Sequence, residues 1–279
     1  MDKEKIKRKQ TMKLKLGDVE TTALIPLSNR ASETKRKNPR VRDQKAVEII
    51  ETLGVDTKNY DKLVTHECVI ARTIMFDEEV KRLIKECPDA ACVNMGCGLD
   101  NRFERVDNGR ITWLDVDLPD SIKVRKKVYE ESDRRRMIAG SVTGKGWISA
   151  VKNVAGAQPA VFIAEGLFMY FSKEEQRAIL HNLVSEFNSG WLLVEMMRPS
   201  MMDEKKHDTV KHTGAKFGWG TKSGKEFEAL EPKLRLVSEH SFSEQMKKST
   251  LVSRIVGVLT AKINNRLAVF QWGRLIEGA

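Results

Sequence analysis

Cysteine is too sparse and too scattered to build a scaffold. The four thiols (Cys68, Cys87, Cys92 and Cys97) form no Cys-x-x-Cys pair and have no histidine at zinc-ligand spacing. That excludes a disulfide framework and a structural metal site, and it fits reduced thiols in a cytoplasmic protein. Long apolar runs are also missing. None approaches the roughly 20 residues that span a bilayer, so no membrane partner is expected. The basic start, MDKEKIKRKQTMKLKLGD, does not lead into the apolar stretch of a secretory signal. Aromatic residues make up 6% of the chain and do not interleave with its basic clusters, which argues against a stacking platform for single-stranded nucleic acid.

What is present is a 279-residue chain with 41% hydrophobic residues, enough to bury a substantial core. Its formal charge is +10, from 49 Lys and Arg against 39 Asp and Glu. Such a surplus raises affinity for polyanions and says little about fold. Two clusters supply much of it, Lys3 to Lys15 and Lys123 to Arg136, and they read as a basic tail and a solvated helix face.

Residues 1–20 read as a flexible basic leader. From about 21 to 88 the apolar spacing favours helices, notably over Gln44–Leu53 and Val69–Ile84, until Pro88 ends the helical region. From about 89 to 279 the rhythm changes to short apolar runs: ACVNMG, ITWLDV, VFIAEG, WLLVEMM, LRLVSE and RLAVFQW, with the shorter MIAG as one more. Helical patterns lie between several of them, as over Lys173–Phe187 and Ser241–Lys248. Strands buried on both faces and alternating with helices predict an α/β, at least partly parallel sheet. A helical N-terminal addition on one such domain is the economical architecture.

The first run ends in Met95-Gly96-Cys97-Gly98-Leu99-Asp100-Asn101-Arg102. A strand leading into Gly-x-Gly can turn tightly and come close to a ligand, because glycine has no Cβ. In an open α/β sheet such a loop lies at the carboxyl edge, where nucleotides bind. Asp117 follows 19 positions after Gly98, where a carboxylate can accept both ribose hydroxyls. A dinucleotide site needs a third glycine where Asn101 stands, and Asp100 would repel a pyrophosphate. S-adenosylmethionine fits better: it has no phosphate, and its cationic end favours carboxylates such as Asp100 and Glu165.

VNMGCGLDNRFERV, ITWLDVDLPDSIKVRKK and AEGLFMYFSKEEQRAIL resemble, in order and spacing, the motifs of the leucine carboxyl methyltransferase family, which includes tetracenomycin-type polyketide O-methyltransferases. The resemblance runs from about Thr22 to Trp272, with LIPLSNRASE and CVIARTIMFDEEV upstream matching family helical segments. It implies a Rossmann-like class I methyltransferase with a seven-stranded, mostly parallel sheet whose last strand is antiparallel. By the same resemblance, Gly96 and Gly98 pass under the methionine part of the cofactor, Asp117 binds the ribose and Glu165 contacts the cofactor. Arg72 would meet the cofactor carboxylate, and Arg30 lies where a basic cofactor or substrate contact is common. At the adenine the family carries an Asp-Leu or Asp-Val pair; this chain has Ser141 and Val142.

The resemblance implies S-adenosylmethionine-dependent O-methylation of a carboxylate or hydroxyl, on a small metabolite, a polyketide-like acceptor or a peptide carboxylate, without a metal. A hydroxyl acceptor would need a general base; Tyr170, or His207 or His212 in the polar segment 198–224, are the candidates. Two alternatives stand beside it. The charge of +10 suggests a nucleic-acid methyltransferase, and Ser141 suggests a fold that has lost catalysis and serves as a binding module.

Overall fold

The computed structural model describes residues 21–156, 158–203 and 216–273. Its strands in chain order are β1 (Ala91–Met95), β2 (Thr112–Asp117), β3 (Arg135–Ala139), β4 (Ala160–Ala164), β5 (Gly190–Met196), β6 (Arg235–Ser241) and β7 (Arg266–Trp272). They form one seven-stranded sheet in the order β3-β2-β1-β4-β5-β7-β6. β7 runs antiparallel to both β5 and β6, and the other pairings are parallel. The chain order reverses between β1 and β4, which opens a crevice at the carboxyl ends of those strands.

The period-two alternation of a strand sorts the core into two layers. Val93, Met95, Phe162 and Leu192 face one side, against α6 (Gly146–Ala155) and α7 (Lys173–Glu186). Cys92, Trp113, Ile163 and Leu193 face the other, against α3 (Leu63–Glu86), α9 (Phe242–Lys247) and α10 (Leu251–Leu259). β6 departs from the expected double burial. It closes the edge of the sheet, so half of its side chains have no layer above them.

Local chemistry sets the helix limits. α2 spans Gln44–Leu53 because the Asp43 carboxylate accepts the Ala46 N–H and Gly54 takes the left-handed conformation that closes the last turn. Ser172 and Glu175 form a reciprocal capping box ahead of α7, and Ser241 with Glu244 does the same for α9. α3 starts six residues earlier than the apolar spacing indicates, nearly two turns, and stops at Glu86, before Pro88. The long α1 (Thr21–Thr34) and α2 pack on a third apolar cluster, where Leu24, Leu27, Ile49 and Ile50 meet Leu99 of the glycine loop and Ile122. The N-terminal helices therefore lie directly over the loop that the motif singles out. Among the described residues no helix is long and apolar enough to cross a membrane.

Candidate active site

Gly96 and Gly98 turn the chain out of β1 with φ of +64° and +45°, a region that side chains disfavour. A Cβ on Gly96 would also come within 2.8 Å of the Leu167 side chain. Asp117, at the end of β2, ties this loop to the neighbouring strand: its Oδ2 accepts the Gly98 N–H at 2.7 Å and its Oδ1 accepts the Leu118 N–H at 2.7 Å. Each oxygen keeps a second lone pair, and the residue lines the cavity. Leu118, which follows it, presents a half-exposed apolar face to the same cavity.

Asp100 and Glu165 line the cavity as expected, but guanidinium groups already compensate both. Asp100 pairs with Arg102 and Arg105 at 3.0 Å each and with Arg30 at 3.7 Å. Burial would raise the Asp100 carboxyl, yet Arg102, Arg105 and Arg30 outweigh it and hold it well below the carboxylate range. Glu165 takes Arg72 Nε at 2.8 Å and Arg102 through its other oxygen. Arg72 therefore does not stand alone awaiting a carboxylate. It bridges Glu165 and Glu195, the latter at 3.1 Å. The pattern follows from burial: a charge among apolar layers is tolerable only when paired, and this crevice concentrates both signs.

Ser141 and Val142 line the same cavity. The Ser141 hydroxyl is 2.8 Å from that of Thr143, and Val142 is buried in the core layer below. Arg30 is buried and turned mainly to Asp43, at 2.8 Å. Tyr170 lines the cavity and stacks on Phe217, with ring centroids 5.7 Å apart. His207 and His212 lie outside the described residues, as does the Lys3–Lys15 cluster. His66 is far from a base role, held between Glu33, at 2.8 Å, and Asp61.

Two residues that the linear pattern does not reveal hold the site. Arg125, part of the cluster read as a solvated helix face, is buried completely beneath the glycine loop. It donates to the carbonyls of Gly98 at 2.8 Å and Asp100 at 2.7 Å and to Asp115 Oδ2 at 2.8 Å, with its guanidinium stacked 4.4 Å from the Tyr129 ring centre. Arg135 shares Asp115 and is buried as well. The reason is Asp115, a wholly buried carboxylate in the middle of β2 that needs cationic partners. Its apolar-run setting and the nearby arginines are the signal that could have found the pair. The second residue is Glu195 in β5, which accepts from Gly166 N at 2.8 Å and Asn265 Nδ2 at 2.7 Å besides Arg72. It thereby fixes the loop that carries Glu165.

The cavity bounded by these groups has a volume of about 1110 Å³. That slightly exceeds the roughly 300–1,000 Å³ of a typical single-ligand pocket, leaving room for two ligands. Its donor set fits S-adenosylmethionine. A glycine floor allows close approach, Asp117 offers acceptors for ribose hydroxyls, and Leu118 offers an apolar face to a base. Glu165 and Arg72 line the same cavity as an ion pair, with Arg102 and Glu195 as their further partners.

A model of the leucine carboxyl methyltransferase family matches residues 23–184. The chain is 29% identical over 231 residues to the tetracenomycin polyketide synthesis O-methyltransferase TcmP of Streptomyces glaucescens, covering 82% of this chain and 84% of that one. It is 22% identical over 246 residues to the S-adenosyl-L-methionine-dependent methyltransferase dpfgK of Gibberella zeae, covering 80% and 82%. Among solved structures, a candidate methyltransferase from Thermobifida fusca aligns with a TM-score of 0.64 at 12% identity, over 92% of this chain and 96% of that one. Magnesium protoporphyrin IX methyltransferase ChlM from Synechocystis PCC 6803, solved with bound SAH, aligns at 0.51 and 10% identity over 76% and 88%. At those identities the structural likenesses speak for the fold alone, and the match along the sequence speaks for the family. With the glycine loop, the Asp117 carboxylate and the seven-stranded sheet in place, the chain belongs to the leucine carboxyl methyltransferase family and is an S-adenosylmethionine-dependent methyltransferase.

Proposed function

We propose that the chain methylates a carboxylate oxygen of a small, largely apolar acceptor. The observation that carries this reading is that the carboxylates described along the cavity are already engaged, while Tyr170 is stacked on Phe217. Among the described lining residues there is no histidine. Asp100, Glu165 and Glu195 are held by arginines, Asp117 by two backbone N–H groups, and Glu175 by the Ser172 N–H of its capping box. Asp120 points to solvent. Burial pushes the Cys68 thiol up to about 11, which removes it as a base near neutral pH. An acceptor already ionised at neutral pH needs none of them.

When bound, the cofactor supplies an electrophilic methyl group and its own leaving group. The residues then have to orient the acceptor oxygen and exclude water. Leu63, Val69, Met169, Phe171, Met197 and Phe217 line the part of the cavity beyond the glycine loop, and suit an apolar body. Asn264 and Asn265 bring side-chain amides to the same region. Tyr170 shapes this end through its stack on Phe217. The family relationship and the likeness to TcmP, an O-methyltransferase, support the reading.

The test is transfer of a radiolabelled methyl group to matched pairs of apolar carboxylic acids and the corresponding alcohols or phenols. Label released as methanol by mild alkali marks a methyl ester and is the expected result. Alkali-stable label, confined to hydroxyl acceptors and rising with pH, would overturn the carboxylate assignment.

A further inference from the structure

The outer face of α10 is apolar and bare. Leu251, Ile255 and Leu259 are 72%, 54% and 77% exposed, and Val252, Val258 and Ile263 join them. These positions recur one helical turn apart, so they form a stripe opposite the buried Ser253, Val256 and Gly257. Isolated exposed leucines are ordinary in a folded protein, but a continuous stripe of six aliphatic side chains is not. The stripe does not end at the helix. Ile263 also lines the mouth of the cavity, together with Thr260 and the exposed Leu63 and Val64 at the start of α3.

The surrounding charge is mainly positive. From Leu251 to Ile263 there is no acidic residue. Lys247, Lys248, Arg254 and Lys262 are exposed around the stripe. Glu244, the carboxylate preceding it, is engaged by His240 at 3.0 Å. An apolar helix face with a cationic rim is the pattern of a helix that lies in a membrane interface and is held there by anionic headgroups. Like charge disfavours the other occupants: a second copy would set two cationic rims against each other, and the leader is itself basic.

We infer that α10 docks this protein onto an anionic membrane surface, with the cavity mouth beside the contact. That no helix among the described residues is long and apolar enough to cross a membrane does not bear on this, because α10 would lie on the bilayer. The inference stands apart from the choice of acceptor oxygen.

Flotation of the full chain with vesicles of phosphatidylcholine, alone or with phosphatidylglycerol, tests it. Binding is expected only with phosphatidylglycerol, and it should weaken in added salt. Ile255→Glu with Leu259→Glu should lower the partition coefficient at least about tenfold. Both residues are exposed and neither lines the cavity, so S-adenosylhomocysteine binding in solution should be unchanged and would show that the variant folds. The inference is overturned if wild type ignores anionic vesicles, or if the double variant binds them equally well. It is also overturned if sedimentation shows a dimer that the double variant splits, with no vesicle binding by either form.

Discussion

Replacing Arg125 by Met should both destabilise the protein and loosen the cofactor loop. The guanidinium makes three directed contacts in a fully buried setting: the Gly98 carbonyl, the Asp100 carbonyl and the Asp115 carboxylate. Methionine fills much of the volume, so little of the effect comes from a cavity. Removing one partner of a buried ion pair costs about 3–5 kcal/mol when the other is left alone. Here Asp115 is not left alone, because it keeps Arg135 at 3.2 Å and Trp113 Nε1 at 2.9 Å. The low end therefore applies, about 3 kcal/mol, which lowers Tm by roughly 6–12 °C for a domain of this size. Two loop carbonyls flanking the glycine turn would lose their donor at the same time, and the dissociation constant for S-adenosylhomocysteine should rise at least about tenfold. Arg125→Lys keeps the charge but gathers its donors on one nitrogen and cannot span acceptors that now take two, so it should fall between wild type and Met. Thermal unfolding and calorimetric titration measure the two effects separately. A Met variant with wild-type Tm and affinity would refute the clamp, and one that loses stability but keeps full affinity would show that Arg125 supports the sheet and not the loop.

Three further perturbations follow from the same contacts. Asp117→Ala removes the acceptor of two backbone N–H groups and the acceptors offered to the ribose. Cofactor affinity should fall roughly a hundredfold or more in titration, since hydrogen bonds to a charged group are worth about 1.5–3 kcal/mol each. Glu195→Ala should weaken cofactor binding roughly tenfold by freeing Arg72 and the Gly166 loop. Glu195→Gln should stay within about threefold, because one carbonyl can serve Arg72 and Gly166 while the Asn265 amide turns over. In acid, burial would raise the carboxyls of Glu33 and Glu67. Hydrogen bonds from His66 and Arg40 to Glu33, and from Arg40 to Glu67, outweigh it and hold both below the usual range. The unfolded chain then binds more protons as pH falls, so their contribution, complete above the unfolded carboxylate value of about 4.5, is lost below it. Urea midpoints should drop steeply below about pH 4, and Glu33→Gln should flatten that limb.

The strands and the site residues differ in how far the sequence reveals them, and the reason is the range of the interactions concerned. β7 and α2 match the stretches read from hydrophobic rhythm, because the apolar spacing of Arg266–Trp272 and Gln44–Leu53 shows within a few neighbours. The glycine loop and Asp117 were legible for a similar reason: a short spacing on consecutive β-units fixes where they meet. Arg125 was not. Its helix is amphipathic by pattern and its neighbours Lys123, Lys126 and Lys127 are exposed, so nothing local distinguishes it from them. What separates it is Asp115 on the adjacent strand and two carbonyls 25 and 27 residues upstream, which only the tertiary fold brings together. The same holds for Glu195, whose partner Arg72 lies 123 residues away. A lone carboxylate inside an apolar run was nonetheless on view at Asp115, Glu165 and Glu195 alike. Since each would be costly unpaired, every one demanded a buried cation somewhere in the fold. Only Glu165 drew attention, because it sits in a known motif. By that rule the three carboxylates call for the buried arginines, and only the identity of each partner is left to the structure.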